Sequence, residues 1–244
     1  MDGYGRSTYG DAFADVYDQW YAGISDAEAT ADLVAELAAA SGSRRVLELA
    51  VGTGRLAVPI ADRGLDVVGI DASEAMLARL RARSTAVTAV LGDMVDDLPD
   101  GPFGVCLVAY NSLFNLESAE RQQACFRAVA ARLAPGGSFV VEAFVPDDRE
   151  GPAVSVRSMS VNEVVLSISR HDPATQRAEG HFVQFVDGER VRLRPWAIRY
   201  APPAELDVMA TAAGLELAAR WEDVSRRPFG DESPQHVSVY RLAR

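Results

Sequence analysis

Val46-Leu47-Glu48-Leu49-Ala50-Val51-Gly52-Thr53-Gly54-Arg55-Leu56 decides the reading of this chain. Arg45 to Ala50 is a short apolar run of strand character, and it ends in a Gly-x-Gly turn that leads straight into a helical pattern over Arg55–Arg63. Glycines let the backbone of such a turn pass close to a ligand, and the helix start offers unpaired N–H groups. A ligand is therefore expected at the carboxyl end of this strand, where open α/β sheets bind. Glu48, just before the turn, would repel a pyrophosphate and suits an amine, so it favours a zwitterionic amino-acid tail over phosphates. The dinucleotide pattern Gly-x-Gly-x-x-Gly lacks its third glycine, since Ala57 stands there, although that form tolerates Ala.

Outward from the turn, helical and strand periods alternate. Ser25-Asp26-Ala27-Glu28 reads as a capping box, opening a helix with Ala29, Leu33, Val34 and Leu37 on one face and a stop near Gly42. Pro59 inside the Arg55–Arg63 helix predicts a kink. Asp66–Asp71 is a second strand. Ser73 then caps a helix bearing Met76, Leu77 and Leu80, and Val87–Leu91 and Gly104–Ala109 are further strands. A helix marked by Phe126, Val129, Ala130 and Leu133 is terminated by Pro135-Gly136-Gly137, and Ser138–Phe144 is the fifth strand. Short strands that are apolar on consecutive positions and separated by helices predict a parallel sheet covered on both faces.

The pattern changes after Pro146. From Val154 to Tyr200 there is no helical period, only apolar runs divided by the turn-rich DPATQ and DGE, which predicts a small antiparallel sheet. Pro202-Pro203 then opens a last helix closed by Gly214, and Leu215–Trp221 and His236–Leu242 read as two closing strands. The expected fold is a doubly wound, mostly parallel seven-stranded α/β sheet with a closing β-hairpin and an inserted antiparallel sheet. Its parts are 1–150, the cofactor-binding core, 151–200, the insertion on the acceptor side, and 201–244, completing the core.

The turn resembles the first motif of class I S-adenosylmethionine (SAM) methyltransferases, an acidic residue followed by Gly-x-Gly-x-Gly, with Ala50 standing at the first glycine. Further landmarks follow in order. Asp71 ends the second strand, where the family uses an acidic residue on both ribose hydroxyls; Asp93, after the third, matches the acceptor of the adenine amine, with Met94 beside the ring. The segments Gly104–Leu116 and Leu133–Phe144 resemble the family's fourth- and fifth-strand motifs. The resemblance implies SAM as cofactor, S-adenosylhomocysteine as product, and Glu48, Ala50, Gly52, Gly54, Asp71, Ala72, Met76, Asp93 and Met94 as its contacts. Met76 and Met94 read equally as core filler. Tyr9 to Tyr21, rich in aromatics, resembles the family's lid, and Tyr17 is expected over the cofactor, where an aromatic face suits a sulfonium.

Methyl transfer from a sulfonium is a one-step displacement, so alignment and exclusion of water matter more than covalent chemistry, and catalytic residues are poorly marked. His181, in the insertion, is the candidate base, with Tyr17 a second catalytic candidate. Candidates for the acceptor are Tyr21, Tyr110, Asn111, Phe114, Trp196, Arg199 and Tyr200; Trp196 and Tyr200 point one way along the strand and Arg199 the other. Tyr110 and Asn111 could equally tie down their loop through backbone hydrogen bonds. The layout resembles glycine and amino-sugar N-methyltransferases, whose insertion forms the acceptor cavity and supports dimers.

Composition narrows the partners. The chain has 244 residues and a formal charge of −11, which disfavours nucleic acid. All 24 positive charges are Arg, which excludes Schiff-base chemistry and a P-loop lysine. Cys106 and Cys125 lie in apolar contexts and read as free thiols in a reducing cytoplasm. No run reaches the ~18 apolar residues of a membrane span, the N-terminus has no apolar core for export, and no spacing suggests a metal site. The expectation is a cytoplasmic enzyme, possible as a homodimer, that methylates an amine or hydroxyl of a small biosynthetic molecule. The alternatives are a nucleotide-dependent oxidoreductase on the same fold and a non-catalytic SAM-binding scaffold.

Overall fold

The structure is a computed structural model that describes residues Met1–Ala243. Five strands, β1 (Arg45–Leu49), β2 (Asp66–Asp71), β3 (Val87–Leu91), β4 (Phe103–Val108) and β5 (Leu133–Phe144), pair in parallel in the order β5-β4-β1-β2-β3. Period-two alternation sends their side chains into two cores. Leu47, Leu49, Cys106, Val108 and Phe139 face one, Val46, Val105, Leu107 and Val140 the other. Helices α3 (Ala27–Ser41), α4 (Ala57–Asp62) and α5 (Glu74–Arg83) cover the second core, and α6 (Ala119–Ala130) covers the first.

After β5 the chain leaves this sheet for a separate antiparallel one, β6 (Gly151–Met159), β7 (Glu163–Asp172), β8 (Arg177–Val186) and β9 (Arg192–Arg199), paired in sequence order. Helix α7 (Pro203–Ala212) then returns it to the core, where β10 (Leu215–Trp221) and β11 (Gln235–Leu242) complete seven strands; β11 runs antiparallel to both β5 and β10. This is the doubly wound sheet, hairpin and inserted sheet that the sequence predicts.

Local details differ. The cap of α3 is Asp26, whose Oδ1 accepts from Ala29 N at 3.0 Å; Ser25 instead accepts from Arg55 Nη1 at 2.5 Å. Pro59 lies in the first turn of α4, where its missing N–H is one that a helix leaves unpaired anyway, so no kink is required. Strand β5 begins at Leu133, before the Pro-Gly-Gly, because Leu133 already pairs with Phe103 across a register shift.

The N-terminal segment, α1 (Thr8–Phe13) and α2 (Tyr17–Trp20), bridges the two sheets. On the core side Asp18 accepts from Thr53 Oγ1 at 2.6 Å and pairs with Arg83, while Asp11 accepts from Ser73 Oγ at 2.7 Å. On the insertion side Asp15 pairs with Arg194 and Arg192, and Phe13 meets the Phe182 ring edge-on at 5.8 Å. A Cβ on Gly10 would stand 2.4 Å from Ser73 Cβ, so only glycine lets α1 settle this closely onto the start of α5. Among the described residues no helix is long and apolar enough to cross a membrane.

Candidate active site

The turn after β1 is a left-handed cradle, with φ of 53° at Ala50 and 57° at Gly52. Glycine takes this conformation freely; Ala50 holds it against the repulsion of its Cβ. Asp71 locks the cradle in place. One of its oxygens accepts from Gly52 N at 2.8 Å and the other from Ser73 N at 2.9 Å, tying the β1 turn to the cap of α5. Burial raises the Asp71 carboxyl, and these two N–H donors oppose the rise.

A cavity opens beside this clamp. Ala50, Gly52, Asp71, Ala72, Met76, Asp93, Met94 and Tyr17 all line it. A Cβ on Gly52 would meet nothing nearer than Tyr17 Cε1 at 4.0 Å, so the turn leaves room for a ligand under that ring. Asp93 Oδ1 accepts from Val95 N, Asp96 N and Arg121 Nη2, and these bonds aim its carboxyl. Gly54 stands outside the cavity; its φ is +81°, and a Cβ there would fall 2.3 Å from Leu80 Cδ1. Its role in this structure is to let α5 pack on the turn.

A smaller cavity of about 290 Å³ adjoins the first at Tyr17, Ala50 and Ser112. Glu48 and Arg55 face each other's charge there, yet Glu48 Oε2 and Arg55 Nε are both buried without a hydrogen-bond partner. Burial pushes the Glu48 carboxyl up to about 8, with Arg55 opposing and Asp71 reinforcing. An acceptor of negative charge and a guanidinium donor, each unsatisfied at one cavity, fit a ligand that carries both an ammonium and a carboxylate.

Tyr17 and Tyr110 line this compartment, and Tyr21 and Tyr9 pack behind them. The Tyr17 and Tyr21 rings lie 4.8 Å apart, Tyr21 meets Tyr110 edge-on at 5.9 Å, and Tyr9 Oη donates to Tyr21 Oη at 3.0 Å. Burial raises the phenols of Tyr9, Tyr17 and Tyr110, so all three stay protonated at neutral pH. Tyr17 can donate a hydrogen bond or present its ring; it is not poised to take a proton.

The other expected residues scatter. Trp196 and Tyr200 line a third cavity between β9, the end of β5 and the loop before β11, alongside Phe144, His171, Asp231, Glu232 and the Asp147–Arg149 ion pair. Arg199 points away from it, bonded to Gln122 Oε1 at 2.7 Å and Glu205 Oε1 at 2.5 Å, and holds α6 to α7. Phe114 is wholly buried against Phe144. Asn111 Oδ1 accepts from Phe144 N at 2.7 Å, and Tyr110 N donates to Glu142 Oε2 at 3.2 Å, so this loop is pinned to β5. His181 pairs with Ile168 and Pro195 and alternates with Phe182, which faces the lid; it lines none of the three cavities and is not brought to the cofactor side. Sequence reasoning passed over Arg55 and Tyr9, although Arg55 directly follows the Gly-x-Gly turn.

The profile of the methyltransferase domain family matches residues 46–137, from β1 into β5. The CcbJ methyltransferase of Streptomyces caelestis is 42% identical, with 99% of this chain and 100% of that one covered and a TM-score of 0.92. A dTDP-3-amino-3,4,6-trideoxy-alpha-D-glucopyranose N,N-dimethyltransferase of Streptomyces venezuelae is 31% identical over 84% of this chain and 90% of that protein. A cypemycin N-terminal methyltransferase of a Streptomyces species is 28% identical over 80% and 82%. The chain belongs to the SAM-dependent methyltransferases.

The oxidoreductase reading falls with that membership. The site fits SAM: the orphaned Glu48 and Arg55 would hold the ammonium and carboxylate of its methionine tail, and the cavity-lining Asp71 and Asp93 would accept from its ribose hydroxyls and adenine amine. When bound, SAM supplies an activated methyl group. The chain supplies alignment, an aromatic wall and the exclusion of water.

Proposed function

We propose that this methyltransferase acts on an amine of a small molecule in secondary-metabolite biosynthesis. The observation that carries the reading is that Tyr17 and Tyr110, the phenols lining the Glu48–Arg55 compartment, are raised by burial and keep their protons. A hydroxyl acceptor needs its proton removed, and these groups do not remove it; a neutral amine attacks through its lone pair without that help. Kinship over most of the chain with a protein named as an N,N-dimethyltransferase, and with one named as an N-terminal methyltransferase, supports the same choice. Tyr17 and Tyr21 then shield the methyl compartment, with Tyr110 on its acceptor side, and Trp196 and Tyr200 line the space for the rest of the acceptor.

The division at about residues 150 and 200 separates cofactor binding from acceptor binding. The acidic surface supports a small molecule over nucleic acid, and the unbridged, buried Cys106 and Cys125 support the cytoplasm. The outer face of the inserted sheet carries exposed Val154, Val156, Ile168 and Leu193, which supports a homodimer. Incubation with SAM and paired acceptors that differ only as amine or alcohol, followed by mass spectrometry, tests the assignment. Methylation of the amine member is expected; transfer confined to the alcohols would overturn it.

A further inference from the structure

The inserted sheet reaches the lid through an arginine that has no carboxylate partner among the described residues. Strand β6 is exposed along almost its whole length, and a bulge between Val156 and Ser158 places one extra residue, Arg157, out of register with β7. Its guanidinium lies 5.2 Å from the centroid of Trp20, 5.0 Å from Tyr21 and 4.7 Å from Phe182. Its one hydrogen bond among the described residues runs from Nη2 to the carbonyl oxygen of Trp20 at 3.2 Å. Two segments remote in sequence, the lid and β8, therefore build a three-walled aromatic box with a cation inside it.

We propose that this box is the docking site for the acceptor's alkylammonium, which releases its proton to water before the neutral amine attacks, and that Arg157 occupies the box as a displaceable stand-in until the acceptor arrives. The proposal rests on the reading of the chain as an amine methyltransferase. Position supports it: Tyr21, one wall of the box, packs on Tyr17 and Tyr110, which line the compartment beside Glu48 and Arg55. A cation in the box thus stands one ring away from the methyl donor's site. Exchange is inexpensive in principle, because a guanidinium released from an exposed strand regains hydration and rotamer freedom. An alkylammonium suits the rings better, since its charge is spread over C–H groups that pack on their faces. The net charge of −11 draws such a ligand toward the chain.

Choline is the probe, because its quaternary nitrogen has no lone pair and accepts no methyl group. Calorimetric titration of the full chain is expected to show Arg157→Ala binding choline at least about fivefold more tightly than the wild type. Arg157→Lys, which keeps a plug, should bind like the wild type, and adding Phe182→Ala to Arg157→Ala should abolish the gain. Thermal melting and SAM affinity establish that each variant is folded. Equal or weaker choline binding by Arg157→Ala, or a gain that survives loss of Phe182, would overturn the proposal. If the titration behaves as stated and no amine is methylated, the acceptor assignment falls and the box stands. If amines are methylated and Arg157→Ala binds no tighter, the box alone falls.

Discussion

The turn after β1 and the inserted sheet are built by opposite means. The turn is backbone: three left-handed residues, an Asp71 clamp on two N–H groups, and buried Glu48 and Arg55 each with a polar atom left open, all seated on strands buried from both sides. The inserted sheet is side chains: Trp196, Phe182 and Arg157 project from strands whose pairing asks little of their identity, and β6 is exposed along almost its whole length. A backbone cradle recognises one cofactor and tolerates few changes. A side-chain wall on a peripheral sheet can be rewritten for a new acceptor while the sheet remains.

That contrast breaks most visibly at Glu48. Its carboxyl titrates at about 8 when folded against 4.5 in the free side chain, so the folded state holds the proton more tightly. The stabilisation it contributes is complete below about pH 4.5 and is lost as pH rises through 8. At ~1.4 kcal/mol per pKa unit the loss is on the order of a few kcal/mol. Melting curves from pH 5 to 8.5 should show wild type falling relative to Glu48→Gln, and saturating SAM should reduce the difference by pairing the carboxylate. Parallel curves without SAM would remove the charge from the site. Next in size, Asp71→Ala should weaken SAM at least about tenfold, ~1.4 kcal/mol, by releasing the Gly52 and Ser73 N–H groups along with the ribose contact. Unchanged affinity in calorimetry would contradict this. The smallest effect sharpens the comparison from the other side: His181→Ala, on the strand face turned from the lid, should leave kcat/KM within about twofold and the pH–rate profile unmoved. A profile that lost its acidic limb would restore His181 as the base.

The cofactor side was legible because its signals are local. Glu48, Gly52, Asp71 and Asp93 each lie at a strand end, and strand ends converge in a parallel sheet, so order along the chain implies adjacency in space. Gly54 shows the limit: its conformation could be read from sequence, but the Leu80 methyl that needs its bare Cα could not. Arg199 and Phe114 were misplaced for the same reason. An arginine or a ring on an alternating strand has two faces to choose from, and the choice belongs to Gln122, Glu205 and Phe144, which arrive from elsewhere.

By itself, then, the sequence determined the alternation of strands and helices, the turn with its preceding carboxylate, and the change of period after Pro146. Each follows from neighbours a few residues apart. Tertiary structure alone decided that Glu48 and Arg55 would stand unsatisfied at one cavity, that buried phenols would keep their protons, and that Trp20, Tyr21 and Phe182 would close around Arg157. Those outcomes depend on burial and on contacts between distant segments, and neither desolvation nor the meeting of remote side chains is written in local periodicity.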